Sequence, residues 1–170
     1  MVRQKAAGEP YSLLITDDEG EYLTALQTTF QPYGYETHLA RSGTEAIEVA
    51  RQYLVHAAIM DMEMPDLSGL ETISIICREY GEPLPFVIIS ADTSKEMMIR
   101  ALAAHAYSFV PKPFNRVLVR EVVEQMLRKF YGAQSPEQGL GIIGSPQDRA
   151  PATPRPKSNV PPVEERSEER

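Results

Sequence analysis

Apolar residues occur in two alternating arrangements along this chain. Short blocks, Leu13–Ile15 within Ser12–Thr16, Ala57–Met60, and Phe86–Ile89, are apolar at consecutive positions, as strands buried on both faces of a parallel sheet are. Between the blocks, apolar residues recur every three or four positions: Tyr22, Leu23, Leu26 and Phe30; Leu70, Ile73, Cys77 and Tyr80; Met98, Ala101 and Leu102. That spacing predicts amphipathic helices. Tyr35–Ala40 alternates in polarity like an edge strand with one wetter face, and Tyr107–Val110 is a further short strand.

Punctuation supports the same division. Pro32 with Gly34, Pro65 with Gly69, and Gly81 followed by two prolines close one element and open the next. Ser42 with Glu45 predicts a capping box for a helix over Thr44–Leu54, and Ser94 or Asp92 caps the helix that follows the fourth strand. A last helix runs from about Asn115 to Phe130. Five strands thus alternate with five helices, which predicts an α/β fold with a parallel sheet and right-handed crossovers. The second and fifth strands are the most polar and belong at the edges, giving the doubly wound (βα)5 order 2-1-3-4-5.

Composition sets the limits of the folded body. From Gly132 onward there is no Phe, Tyr or Trp, half of the 14 prolines occur, and the segment ends in mixed charge. Such a stretch cannot bury enough surface to offset its ordering entropy. The expected organisation is a flexible N-terminus over 1–9, a folded domain over 10–131 and a disordered tail over 132–170. A net charge of −7 without a basic run argues against direct nucleic-acid binding. The single cysteine, Cys77, excludes an internal disulfide and falls on a helix face, where it reads as a small core residue. No long apolar stretch or secretory signal is seen, so a soluble, cytoplasmic protein without a membrane partner is expected.

The chemistry collects where the strands stop. The carboxyl ends of the first, third, fourth and fifth strands carry Asp17 and Asp18, Asp61, Ser90, and Lys112, on the edge of an open sheet where ligands bind. Alone, Asp17 and Asp18 would pass for helix caps. Clustered acids repel unless a hard cation joins them, and Mg²⁺ suits carboxylates that leave room for water and a phosphate oxygen. A lysine and a hydroxyl on the same rim suit phosphoryl oxygens. The set predicts a phosphoryl-transfer site with a carboxylate nucleophile. His38, His56 and His105 have no second His or Cys at metal spacing, which argues against zinc.

Four segments, Leu13–Glu19, Asp61–Leu70, Ile88–Ala91 and Phe109–Phe114, resemble in order and spacing the receiver domains of two-component response regulators, over roughly residues 10–131. The resemblance implies a flavodoxin-like fold and a phosphorelay switch. Asp61 would be the phosphoacceptor, taking its phosphoryl group from a histidine kinase or histidine phosphotransfer protein. Asp18 would ligate Mg²⁺ directly, Asp17 largely through water, and Asp61 and the backbone carbonyl of Glu63 would complete the protein's share. Lys112 would pair with Asp61 and then with the phosphoryl group. Ser90 would swing in to bond that group, and Phe109 would turn into the space vacated. The bond before Pro113 is expected to be cis. The chain departs from the family at Thr16, where an apolar residue is usual, at His105, where glycine is common, and at Glu63 and Asp92. Acids at those last two positions are expected to modulate the lifetime of the phosphorylated state.

Two other functions compete. A small aspartyl-nucleophile phosphatase of similar topology uses a second acid two residues after the nucleophile, where Glu63 stands, but it also needs a substrate pocket for which five βα units leave no residues. Flavin binding lacks the glycine- and hydroxyl-rich first loop. The reading is therefore a stand-alone receiver, itself no enzyme beyond its own phosphorylation and dephosphorylation, that signals to a downstream protein. The last helix carries Val117, Leu118, Val119, Val122, Val123, Met126, Leu127 and Phe130, a band wider than one sheet face needs. A homodimer through the fourth helix, fifth strand and fifth helix is expected to use the excess.

Overall fold

The computed structural model describes Lys5 and residues 8–132. The expected flexible N-terminus falls largely, and the expected disordered tail almost wholly, outside the described residues. Five parallel strands, β1 (Ser12–Thr16), β2 (Glu36–Ala40), β3 (Ala57–Asp61), β4 (Phe86–Ser90) and β5 (Ser108–Pro111), lie in the order β2-β1-β3-β4-β5. They alternate with α1 (Gly20–Phe30), α2 (Gly43–Gln52), α3 (Gly69–Tyr80), α4 (Lys95–Ala103) and α5 (Arg116–Tyr131). The α/β class and the strand order expected from the sequence are those observed.

Alternation along the central strands splits the core in two. Leu13, Ile15, Ala57, Ile59, Val87 and Ile89 pack with Leu23, Leu26 and Phe30 of α1 and Val119, Val123, Met126 and Leu127 of α5. Their neighbours Leu14, Ala58, Met60, Phe86 and Ile88 pack on the other side with Ala46 and Ile47 of α2, Ile73 and Ile76 of α3, and Met97 and Ala101 of α4. Each such side chain contributes roughly 1.5–3 kcal/mol on burial. Because both faces of β1, β3 and β4 are covered, their carboxyl ends are held rigidly at one edge of the sheet.

The structure corrects several local expectations. On α4 the stripe that packs runs through Met97 and Ala101, while Met98 and Leu102 are exposed. Apolar residues occupy two overlapping stripes of this short helix, and the stripe with alanine at its second position lets the backbone approach the sheet. Helix α2 ends at Gln52, two residues early, because Tyr53 turns extended and stacks its ring on His38 at 4.2 Å. Its capping box is shifted by one position: Ser42 Oγ accepts from the Glu45 N–H, but the Glu45 carboxylate accepts from the N–H of Arg41. A full capping box forms instead on α3, between Ser68 and Glu71. Ser94 caps α4, and Asp92 accepts from the Ser94 N–H. β5 begins one residue later than expected, at Ser108.

Candidate functional site

The site grows out of backbone that the sheet already holds. Asp17 follows β1, and its N–H extends the β1–β2 ladder by donating to the Ala40 carbonyl at 3.1 Å. Its Oδ1 accepts from the Glu19 N–H at 2.9 Å, which fixes the rotamer. Asp61 is the last residue of β3, and the next N–H, of Met62, donates to the Ile89 carbonyl. Lys112 leaves β5 between Pro111 and Pro113, its N–H on the Ser90 carbonyl at 2.8 Å and the Lys112–Pro113 bond cis, as expected.

These three side chains meet. Lys112 Nζ lies 2.7 Å from Asp17 Oδ2 and 3.4 Å from Asp61 Oδ2, and all three side chains are nearly inaccessible. Two buried acids sharing one ammonium leave a negative charge uncompensated. Burial, and then the charge of Asp17, push the Asp61 carboxyl up to about 7 against the opposing pull of Lys112. Asp17 is also raised, by burial first, with Lys112 working against it. Burial acts to lower the Lys112 ammonium, but the hydrogen bond to Asp17 and the charge of Asp61 outweigh it and leave Lys112 above its ordinary value.

The other sequence-predicted residues occupy distinct places around this centre. Asp18 is exposed, and its carboxylate groups with those of Asp17 and Glu19, with oxygens within 4.8 Å of one another. Ser90 is fully buried, and its Oγ accepts from the Asp92 N–H at 3.0 Å. Phe109 is half-buried against the core beneath α2, α3 and α4. The Glu63 N–H makes a long, 3.4 Å bond to Asp61 Oδ1, and the Glu63 side chain is exposed. Hydrogen bonding from Ser94 holds the Asp92 carboxyl below its usual range. Thr16, at the departure in β1, donates from Oγ1 to the Ile59 carbonyl at 3.4 Å, so its burial leaves no polar atom unmet.

Two residues at the site escaped sequence reasoning. Glu19 brings a carboxylate to 3.7 Å from Lys112 Nζ, and the only signal for it was membership of the acidic run. Tyr22, assigned to the face of α1, lays its ring 4.2 Å from the same ammonium and packs on Phe114. Nothing in helical periodicity distinguishes a ring over a lysine from a ring in the core. Chemically, the site offers an oxygen-only donor set with a charge deficit, which fits a hard cation such as Mg²⁺.

A family model for the response regulator receiver domain matches residues 13–124. The chain belongs to this family. Similar curated proteins include response regulator GtcR of Aneurinibacillus migulanus, 32% identical over 127 residues that make up 75% of this chain and 52% of GtcR. Transcriptional regulatory protein ZraR of Klebsiella oxytoca is 27% identical over 85% of this chain and 34% of its own length. The chain therefore spans about a third to a half of these relatives. Among solved structures, chemotaxis protein CheY4 of Vibrio cholerae superposes with a TM-score of 0.65 at 25% identity, covering 69% of this chain and 99% of CheY4. As a receiver domain the chain is a phosphoryl-accepting signalling switch of the two-component type, and the phosphatase reading falls away. Receiver domains bind Mg²⁺ in an acidic pocket, to which the group Asp17, Asp18 and Glu19 corresponds. Among the described residues no helix is long and apolar enough to cross a membrane.

Proposed function

We propose that this receiver domain accepts its phosphoryl group on Asp61 from the phosphohistidine of a histidine kinase or histidine phosphotransfer protein. The observation that carries the reading is the convergence of Asp17 and Asp61 on one buried lysine at the carboxyl edge of the sheet. In the transfer, an Asp61 carboxylate oxygen forms the new bond to phosphorus as the bond from phosphorus to the imidazole nitrogen breaks, and the imidazole keeps that electron pair. Lys112 then moves its charge from the Asp61 oxygen to a phosphoryl oxygen. Ser90, whose hydroxyl hydrogen is not committed by its role as acceptor for Asp92, donates to another. Phe109 follows Ser90 inward and carries the change to the surface.

Asp18, Asp17, Asp61 and the Glu63 carbonyl would hold Mg²⁺, which when bound neutralises charge on the transferring phosphoryl oxygens. Glu63 and Asp92 modulate the lifetime of the aspartyl phosphate, as side chains on the path of the hydrolytic water. Signalling proceeds by contact with a downstream protein or a second copy through α4, β5 and α5. Met98, Ile99, Leu102, Val117 and Leu118 are exposed there, Leu102 to 75%, which supports that face.

Incubation with Mg²⁺ and acetyl phosphate tests the reading. An acid-stable, base-labile adduct is expected by intact mass in the wild type and not in Asp61→Asn. Decay of the same adduct in Glu63→Asn is expected to differ severalfold from the wild type; equal rates would remove Glu63 from the account.

A further inference from the structure

The loop joining β3 to α3, residues 62–68, carries the phosphoacceptor's flank, and three features tie it down. Its ends close on each other: the Gly69 N–H donates to the Met62 carbonyl at 3.0 Å, and a Cβ on Gly69 would lie 2.3 Å from the Asp61 carbonyl oxygen. On its outer side it abuts α2, where a Cβ on Gly43 would lie 2.6 Å from Leu67 Cβ and 2.4 Å from Thr72 Oγ1. Its middle is bound by Asp66. The carboxylate accepts from the Gly43 N–H at 2.9 Å, the Thr44 N–H at 2.8 Å and the Thr44 hydroxyl at 2.6 Å.

Helix α2 cannot complete its own N-terminus. Ser42 serves the Glu45 N–H through its side chain and the Ala46 N–H through its carbonyl. The first two helical N–H groups would lack acceptors within their own turn, and Asp66 supplies both from another element. A carboxylate there also meets the positive end of the helix dipole. The Thr44 hydroxyl, followed by the backbone donors, holds the Asp66 carboxyl well below the ordinary range, so it stays charged. Among the described residues, the side-chain hydrogen bonds from the middle of this loop to another element run through Asp66.

We propose that Asp66 is a positioning residue for the phosphoacceptor site: by clamping the loop to the N-terminus of α2, it sets where the Glu63 carbonyl and the backbone after Asp61 lie. The inference rests on Asp61 as phosphoacceptor. Without the clamp the loop keeps its closed ends and the packing of Leu67 beside α2 but loses the polar tie through its middle, and the donor set and phosphoryl pocket lose definition even though Asp66 touches neither. Losing such an outer support typically weakens metal binding about tenfold or more.

The test combines Mg²⁺ titration by calorimetry with acetyl phosphate kinetics on the full chain. In Asp66→Ala, the Mg²⁺ Kd and the acetyl phosphate KM are expected to rise about tenfold, with a smaller fall in kcat. Asp66→Asn keeps one acceptor oxygen and is expected to recover most of the loss, and Thr44→Val to fall between. Unchanged Kd and KM in a folded Asp66→Ala protein, whatever its melting temperature, would overturn the clamp. If Asp66→Ala does not fold, unchanged constants in both Asp66→Asn and Thr44→Val overturn it, and graded losses in the two support it. Phosphorylation of Asp61→Asn at the wild-type rate would bring down the Asp61 reading and this inference with it, whereas a normal Asp61 dependence with indifferent Asp66 variants rejects the clamp alone.

Discussion

At Asp61, burial and a neighbouring charge act on the carboxyl in the same direction. Its carboxyl is pushed up from an ordinary 3.8 to about 7, by burial first and by Asp17 second. The folded chain therefore holds this proton to higher pH than the unfolded chain does. The resulting stability is fully present below the unfolded value and is lost as pH rises through about 7. Asp17, also raised, acts in the same sense. Lys112, raised as well, loses its contribution only at pH values well above this window. In metal-free buffer, Asp61→Asn is expected to be more stable than the wild type by roughly 4 kcal/mol at about pH 8, with the difference shrinking toward about pH 5. Thermal unfolding at several pH values measures this, and a difference independent of pH would contradict it. Asp17 and Asp61 were legible in the sequence because each stands where an unmistakable apolar block stops, and Lys112 because Pro111 and Pro113 set it at the end of the short, more polar fifth strand. Asp66 was not, because its partners lie 22 and 23 residues away on another element and no local spacing records them.

Helices and strands were legible wherever a single apolar stripe or block decided the matter, as in α1, β3 and β4, whereas in α3 the buried stripe runs through Thr72, Ile73 and Ile76 and leaves Leu70, Cys77 and Tyr80 half-buried. They were misread where two solutions share one sequence. In α4, Met97 and Met98 are equally apolar, and only packing on the sheet selects Met97 for burial. The end of α4 shows a different tension. His105 stands at φ 60° just past the helix, with its N–H on the Leu102 carbonyl and the Ala106 N–H on the Ala101 carbonyl. That arrangement favours glycine at the left-handed position, and His105 is exposed and so makes little use of its ring for burial. Replacement by glycine is expected to stabilise the chain by about 0.5–1 kcal/mol. The shift in urea midpoint reads it, and a destabilised His105→Gly protein would mean that the imidazole holds a contact worth more than the backbone strain.

For the domain as a unit, the order of elements was enough to give the sheet, since a buried parallel core with polar edges has few right-handed solutions. The same topology gathers segments far apart in sequence at one edge and leaves α4 and the start of α5 with uncovered apolar side chains. Association through that face is expected to raise the mass in light scattering when beryllofluoride and Mg²⁺ are added, and Leu102→Glu to prevent the rise; a monomer under both conditions would place signalling wholly with other partners. The central claim is narrower: among the acids crowded at the sheet edge, Asp61 receives the phosphoryl group. Borohydride reduces an acyl phosphate to the alcohol, so phosphorylation with acetyl phosphate and Mg²⁺, reduction, and peptide mapping reads the acceptor directly. Homoserine at position 61 is the predicted result. Homoserine at position 17 or 18 instead, or at none of the three, would contradict the account.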